Sequence, residues 1–360
     1  MSSWVKNNMP NRRVFKTLST PIMPVNATNK HIDTGNTVHK HKIYIPHYFS
    51  YESATELVNN IKRIGNNLAR VKKIVNVYQP YFKNRSATGL GDYIRGSLFL
   101  YQCCRLCNIN FEMNLCYHPI NSILDNEFNE IKEYFLKNIE HSEVNNYHPN
   151  TNIHINTYME EIVKINTYLS ECLIDENGVM YVSMKTYPMF TITDDDRYFI
   201  KNSLKYNSLF KIEFDKFKIK HNLSSNSYNI LHIRNGDKYL KNQTVIMPSS
   251  DYLEKIYKLI EQRKTDTYKY ILLSDSIIVE NILSEKYPDL ITFNNDKSHF
   301  GEGVHNSFNN IINNMLEFYI MSEAQFIYSL SVYQHGSGFS MWCAELFNIP
   351  YKSSFIEASI

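Results

Sequence analysis

Apolar and polar residues alternate along the second half of the chain in blocks that predict strands separated by helices. Strands are predicted at residues 228–234, 268–275, 290–293 and 325–330. Helices are predicted from Ser249 onward, at residues 277–286, through the apolar positions between Phe308 and Ser322, and around Trp342. Strands that alternate with helices in this way form a parallel sheet with helices on both faces. The second half therefore predicts an α/β fold with a doubly wound sheet.

The first half carries the same kind of pattern with more interruptions. A helical pattern at 53–70 precedes a strand at 71–79, a glycine-containing loop, a helix that runs to Cys107 and a strand at 110–115. A helical run at 121–140 and strands at 152–157 and 179–185 follow. We therefore expect a flexible N-terminal arm at residues 1–42 and two Rossmann-like domains, at 43–225 and 226–360. A cleft between two such domains is a frequent ligand site.

Composition narrows the possible functions. The chain has 360 residues, 38 basic residues and a net charge of +2. Because the basic residues are scattered, no nucleic-acid interface is expected. The N-terminus lacks an apolar segment of signal-peptide length, and no stretch approaches the 18 or so apolar residues of a membrane helix. We expect a cytoplasmic protein without a membrane span.

Two clusters that could hold a metal have simpler interpretations. Asp194, Asp195 and Asp196 follow Thr193, so they are expected in the first turn of a helix, where carboxylates favour the positive end. Cys104 and Cys107 lie within an apolar helical pattern, and the six cysteines show no paired metal-ligand spacing. We interpret the cysteines as reduced packing residues. Neither a metal nor a cofactor is predicted.

The most informative segment ends the strand at 228–234. His232 and Arg234 are two residues apart, so a strand places both on one face. Gly236 permits a sharp turn that brings Asp237 near them. An arginine at a strand end suits an anion such as a phosphate. The alternative is a surface turn in which an Arg–Asp pair is merely solvated.

Three further segments add polar groups at strand ends or helix starts. Residues 89–96 resemble a dinucleotide fingerprint but lack its third glycine, which leaves a tight turn formed by Gly89 and Gly91 whose backbone N–H groups face the cleft. Asp92 would lie at the helix start, either exposed toward a ligand or as a helix cap. The second segment, residues 272–276, is a polar cluster that ends an apolar strand. Its Asp275 could accept hydrogen bonds from the N–H groups of a purine, or could begin the next helix.

The third of these segments, residues 335–340, is a Gly- and Ser-rich turn that enters a helix. Its N–H groups and small hydroxyls, at Ser337 and Gly338, form an anion-binding turn suited to a diphosphate. It has no P-loop lysine and no G-x-S-x-G spacing. Together the segments predict a nucleotide-diphosphate pocket in the C-terminal domain, which the N-terminal glycine loop closes. A transferase that moves a sugar from a nucleotide-diphosphate donor needs this layout.

Four motifs in this order resemble those of the GT-B fucosyltransferases that use GDP-fucose, which include the α1,6-, α1,2- and protein O-fucosyltransferases and the bacterial nodulation enzymes. The motifs are Gly89-Leu90-Gly91-Asp92, His232-Ile233-Arg234-Asn235-Gly236-Asp237, Leu273-Ser274-Asp275-Ser276, and a third region formed by residues 303–306 and 337–342. The resemblance covers roughly residues 70–350. It implies a GT-B fold and inverting, metal-independent transfer of fucose from GDP-fucose to a hydroxyl of a glycan or protein.

The resemblance also implies roles for single residues. Arg234 would hold the β-phosphate of GDP, His232 would lie against the guanine or ribose, and Asp275 would bind the guanine. Ser337 and Gly338 would bind the diphosphate. One departure is clear, because Asn235 stands where the α1,2 and α1,6 branches have a second arginine.

The general base is left open by the motifs. Asp92 is the first candidate and Glu302 the second. Two alternative functions also stay open. One is a GT-B transferase of heptosyltransferase type that uses an ADP-sugar, and the other is an inactive nucleotide- or glycan-binding protein with this fold.

Overall fold

The computed structural model describes residues 59, 62, 68–78, 81–82, 85–86, 89–140, 167–184, 192–236, 247–265, 267–293, 308–334 and 336–357. All of them belong to one compact unit. The expected arm at 1–42, the helical pattern at 53–70 for all but a few residues, and the strand at 152–157 lie outside the described residues.

Two parallel sheets organise the described part of the chain. The first has the order β4-β1-β5 and the second the order β7-β6-β8-β9, and every neighbouring pair in both is parallel. A short antiparallel pair, β2 with β3, lies between β1 and the first long helix. The strands are β1 Lys73–Val77, β2 Tyr81–Phe82, β3 Arg85–Ser86, β4 Asn110–Asn114, β5 Val179–Val182, β6 Tyr228–Arg234, β7 Lys269–Ser274, β8 Phe326–Ser331 and β9 Tyr351–Phe355.

Helices connect the strands. They are α1 Leu90–Cys107, α2 Glu133–Glu140, α3 Asp194–Ser203, α4 Ser208–His221, α5 Ser250–Arg263, α6 Ile277–Lys286, α7 Phe308–Ser322 and α8 Gly338–Phe347, with a 3-10 turn at Pro119–Ile123. Strand–helix–strand order within parallel sheets confirms the α/β class. The division into two domains near residue 225 stays a prediction.

Local hydrogen bonds explain where several helices begin and end. The side chains of Thr193, Ser249 and Ser276 accept the backbone N–H groups that the first turns of α3, α5 and α6 leave without an intrahelical partner. Asn108 and Asn348 end α1 and α8 in the left-handed conformation that asparagine tolerates. The helix start expected at Asp194, Asp195 and Asp196 is confirmed, and Thr193 and Asp196 form a capping box there.

Strand β6 separates two regions of the core. Tyr228 and Ile230 belong to a large cluster that also includes Leu90 and Ile94 of α1. Leu231 and Ile233 belong to a second cluster, formed with residues of α5 and α6. Alternate residues of β6 therefore face opposite sides of its sheet. The first cluster joins residues from both halves of the chain.

The structure differs from the sequence prediction at several places. Residues 121–140 were expected to be one helix, but only Glu133–Glu140 is α-helical, after the 3-10 turn at Pro119–Ile123. Residues 290–293 were expected to be a strand and make only an isolated bridge between Ile271 and Ile291. Helix α4 and strand β9 were not predicted. The strand at 228–234 has the predicted bounds.

Candidate active site

Arg234 lies at the carboxyl end of β6, a central strand of its sheet. Its guanidinium forms an ion pair with Asp275, which directly follows β7, with Nη1 and Oδ2 2.5 Å apart. The ring of Tyr333, just beyond β8, lies 5.9 Å from the guanidinium carbon. Three neighbouring strand ends thus place a cation, a carboxylate and an aromatic ring at one edge of the sheet, where parallel sheets bind ligands.

His232 shares the sheet face of Arg234 but lies deeper. Its side chain is buried, and its Nδ1 is 2.8 Å from the hydroxyl of Ser340 on α8. Ser340 is in turn 3.5 Å from Ser329 of β8. The imidazole therefore connects β6 to helix α8. Whether it also meets a ligand stays a prediction.

Asp275 organises the turn that follows β6. Its Oδ1 accepts the backbone N–H of Asn235, and its Oδ2 accepts that of Gly236, at 2.7 and 3.0 Å. Gly236 has a φ of +108°, in the region that favours glycine. A Cβ there would also be 3.2 Å from Val332. The sequence therefore needs glycine at this position, as the turn prediction assumed.

The turn before α8 offers a set of small groups. Ser337 occupies the cap position, but its hydroxyl makes no cap hydrogen bond within the described part of the chain. A Cβ added to Gly338 would meet nothing within 4 Å. The start of α8 thus has open space on the side where a side chain at Gly338 would lie, and it is the positive end of the helix dipole. This arrangement suits an anion that approaches from outside.

The glycine loop of the first sheet contacts this same turn. Gly91, in the first turn of α1, packs so closely that an added Cβ would be 2.9 Å from the backbone carbon and oxygen of Gly338. Asp92 follows it, and its Oδ1 is 3.0 Å from the guanidinium of Arg95. The structure therefore places Gly91 against Gly338, with Gly89 and Asp92 close to Gly91 in the chain.

Two buried residues that contact each other, Tyr78 and His118, were not predicted. Tyr78 directly follows β1, and its ring contacts that of His118 with the centroids 4.1 Å apart. Burial, together with the negative charge of Asp92, raises the pKa of Tyr78. Burial lowers the pKa of His118 to about 3, and its Nδ1 accepts the N–H of Ile120 at 3.0 Å. Position at or just after a strand end was the signal that could have identified Tyr78.

The remaining residues singled out from the sequence either lie outside the described residues or have a structural role elsewhere. Asp237, Glu302, His335 and residues 303–306 lie outside the described residues. Asp196 pairs with Arg105, with its Oδ1 2.9 Å from Nη1, and belongs to the start of α3. In the part of the chain that the structure describes, no group of three His, Cys, Asp or Glu side chains could hold a metal ion.

The cysteines and the helices bear on two further expectations. The six cysteines, all within the described residues, form no disulfide, and burial raises the pKa of Cys172 to about 12. A thiol with so high a pKa stays protonated at neutral pH, which agrees with a packing role. Among the helices of the described ranges, none combines the length and the apolar character that a bilayer crossing requires.

The chain is similar to known proteins in structure but not in sequence. No protein-family model matches the chain, and no curated protein does either. The chain is similar to solved fucosyltransferases. They include NodZ from Bradyrhizobium, with 11% identity, a TM-score of 0.44, and coverage of 76% of this chain and 92% of that one.

Two other fucosyltransferase structures match over similar lengths. POFUT1 in complex with GDP is 12% identical, with a TM-score of 0.40 and coverage of 80% of this chain and 98% of that one. A mutant of FUT1 from Arabidopsis thaliana in complex with GDP is 11% identical, with a TM-score of 0.44 and coverage of 86% and 80%.

Proposed function

We propose that the chain is a glycosyltransferase that transfers a sugar, fucose, from a GDP-sugar to a hydroxyl of a glycan or protein. Three contacts support this proposal: Arg234 pairs with Asp275 at the carboxyl end of β6, His232 of the same strand bonds Ser340 in the first turn of α8, and Gly91 of α1 packs against Gly338. A cation and a free helix start suit a diphosphate. A carboxylate at Asp92, the residue after Gly91, suits an acceptor hydroxyl.

Arg234 would stabilise the departing diphosphate. As the bond between the anomeric carbon and the β-phosphate oxygen breaks, its electron pair stays on that oxygen, where negative charge increases. A guanidinium fixed before the reaction stabilises this charge without reorganising, which is the largest single contribution in many enzymes. Because Arg234 provides a positive charge at this place, the proposed reaction does not require a metal ion.

Asp92 would act as the general base. The acceptor oxygen attacks the anomeric carbon from the side opposite the diphosphate, so the product has inverted configuration. The proton of the acceptor hydroxyl passes to the Asp92 carboxylate. The ion pair with Arg95, 3.0 Å away, fixes the orientation of that carboxylate at the start of α1.

Asp275 is the residue expected to bind the guanine of the donor. The guanine contact expected of Asp275 stays a prediction, and making it would require the carboxylate to exchange one of its present hydrogen-bond donors. A role of Asp237 in binding the GDP-sugar stays a prediction as well.

A nucleotide panel tests the proposal. The purified chain is titrated calorimetrically with GDP, ADP and UDP, and GDP is expected to bind most tightly. Arg234→Ala is expected to weaken GDP binding at least tenfold, which is about 1.4 kcal/mol, and to abolish transfer. Unchanged affinity in Arg234→Ala would overturn the site, and a preference for ADP would indicate a donor of the heptosyltransferase type.

Turnover separates an enzyme from a binding protein. Incubation with GDP-fucose is expected to release GDP slowly by hydrolysis, and faster when an acceptor glycan is present. A chain that binds GDP-fucose but never releases GDP, across a panel of glycan and glycoprotein acceptors, would be a binding protein with this fold.

A further inference from the structure

The residue that follows Arg234 is enclosed in a network of hydrogen bonds. Asn235 is fully buried, with 0% of its surface exposed. Its Nδ2 donates to the hydroxyl of Ser274 at 3.0 Å and to Oδ1 of Asp275 at 2.7 Å. Its Oδ1 accepts the hydroxyl of Tyr252 on α5 at 2.8 Å. All the hydrogen-bonding groups of this side-chain amide are therefore occupied.

The network continues to the guanidinium through Asp275. One carboxylate oxygen accepts the backbone and the side-chain N–H groups of Asn235, each at 2.7 Å. The other accepts the N–H of Gly236 at 3.0 Å and Nη1 of Arg234 at 2.5 Å. A carboxylate has about four acceptor sites, so four donors fix Asp275 in one orientation. A fixed carboxylate in turn fixes the guanidinium that pairs with it.

We propose that Asn235 and Tyr252 are positioning residues that hold Arg234, through Asp275, in the orientation that receives a diphosphate. This inference rests on the proposed function, because it concerns the same donor site. The hydroxyl of Tyr252 is linked to the guanidinium through Asn235 and then Asp275.

Some branches of the superfamily that the motifs resemble have two successive arginines here, whereas this chain has Arg234 and Asn235. The second position of the motif points into the protein interior and is used to fix the first. An arginine that is held before binding loses less conformational freedom when the ligand arrives. A network of satisfied buried polar groups also specifies one arrangement more strictly than apolar packing does.

A double-mutant cycle on the full chain tests this inference. GDP affinity is measured by calorimetry for the wild type, Tyr252→Phe, Arg234→Ala and the double variant. Tyr252→Phe is expected to weaken GDP binding about five- to tenfold when Arg234 is present. In the Arg234→Ala background the same change is expected to alter affinity less than twofold, because the removed hydroxyl has no guanidinium left to position.

Tyr270→Phe provides a matched control. Tyr270 is a buried tyrosine of the same core cluster, and its hydroxyl donates to the carbonyl of Arg263 at 2.8 Å, near the opposite end of β7. Its loss is expected to lower the melting temperature about as much as Tyr252→Phe does, while GDP affinity stays unchanged. A general loss of stability would weaken binding in both variants.

The outcomes separate the inference from the function on which it rests. If Tyr252→Phe leaves GDP affinity unchanged, or weakens it equally in both backgrounds, the positioning role is wrong while the donor site stands. If the wild type binds no nucleoside diphosphate, the proposed function itself is wrong. Should Tyr252→Phe not fold, Ser274→Ala removes another partner of Asn235 and enters the same cycle with the same criteria.

Discussion

Replacing Gly91 with alanine tests the contact between the starts of α1 and α8. The added Cβ would be 2.9 Å from the backbone carbon and oxygen of Gly338 and 3.3 Å from the backbone nitrogen of Phe339. Because these are backbone atoms, no side-chain rotation can relieve the clash, and the two helix starts have to move apart. Overpacking of this kind costs about 1–3 kcal/mol.

Thermal unfolding followed by circular dichroism measures this cost. In a chain of this size, each kcal/mol lowers the melting temperature by roughly 2 °C. Gly91→Ala is therefore expected to melt about 2–6 °C below the wild type.

Gly338→Ala is the matched control, since it changes the other glycine of the same contact. Its Cβ would meet nothing within 4 Å, and alanine favours a helix over glycine by up to about 1 kcal/mol. Its melting temperature is expected to equal that of the wild type or to exceed it by up to about 2 °C. A wild-type melting temperature for Gly91→Ala, or equal losses in both variants, would refute the close approach of the two helices.

Three further predictions concern the residues around the site. Asp92→Asn is expected to lower the turnover of GDP-fucose at least about 100-fold while GDP affinity measured by calorimetry stays within twofold; undiminished turnover would exclude Asp92 as the base. Burial lowers the pKa of His118 to about 3 in the folded chain. In the unfolded chain the pKa of this residue is about 6.5. Because the unfolded chain then binds the proton more tightly, stability is lost as the pH falls from about 6.5 toward 3. His118→Asn, which can still accept the Ile120 N–H, is expected to reduce the difference in melting temperature between about pH 7.5 and about pH 5, and an unchanged difference would contradict this assignment. Asn235→Arg puts a charge at a fully buried position and is expected to destabilise the chain by roughly 3 kcal/mol or more without tighter GDP binding; a stable variant with higher affinity would contradict the enclosed network.

The sequence predicted those elements whose signals are local. The apolar run at β6 predicted its bounds, and Thr193 and Ser249 predicted helix starts through their own side chains. Strand β9 was missed because Tyr351–Phe355 is an edge strand with polar residues between two aromatics, which leaves little hydrophobic pattern. Helix α4 carried a usable signal, since Phe210, Phe214 and Phe217 recur at helical spacing after the cap residue Asn207.

The site was predictable as a set of strand ends but not as a set of contacts. Parallel strands bring Arg234 and Asp275 to one edge, and the sequence shows both. The bond from Tyr252 to Asn235 depends on the angle at which α5 lies on the sheet, and the approach of Gly91 to Gly338 depends on how two distant segments pack. Tertiary packing decides such distances, and no local pattern encodes them.

The position of β6 within its sheet affects how often its backbone hydrogen bonds open. Strand β6 has a hydrogen-bonded neighbour on each side, whereas β9 has one neighbour among the described strands. Amides of β6 should therefore exchange with deuterium only when the whole unit unfolds, while those of β9 exchange by fraying. Ser353 of β9 lies against the turn at Gly336. The side of the candidate site that carries Arg234 would thus stay folded on timescales over which the side formed by β9 repeatedly unfolds and refolds.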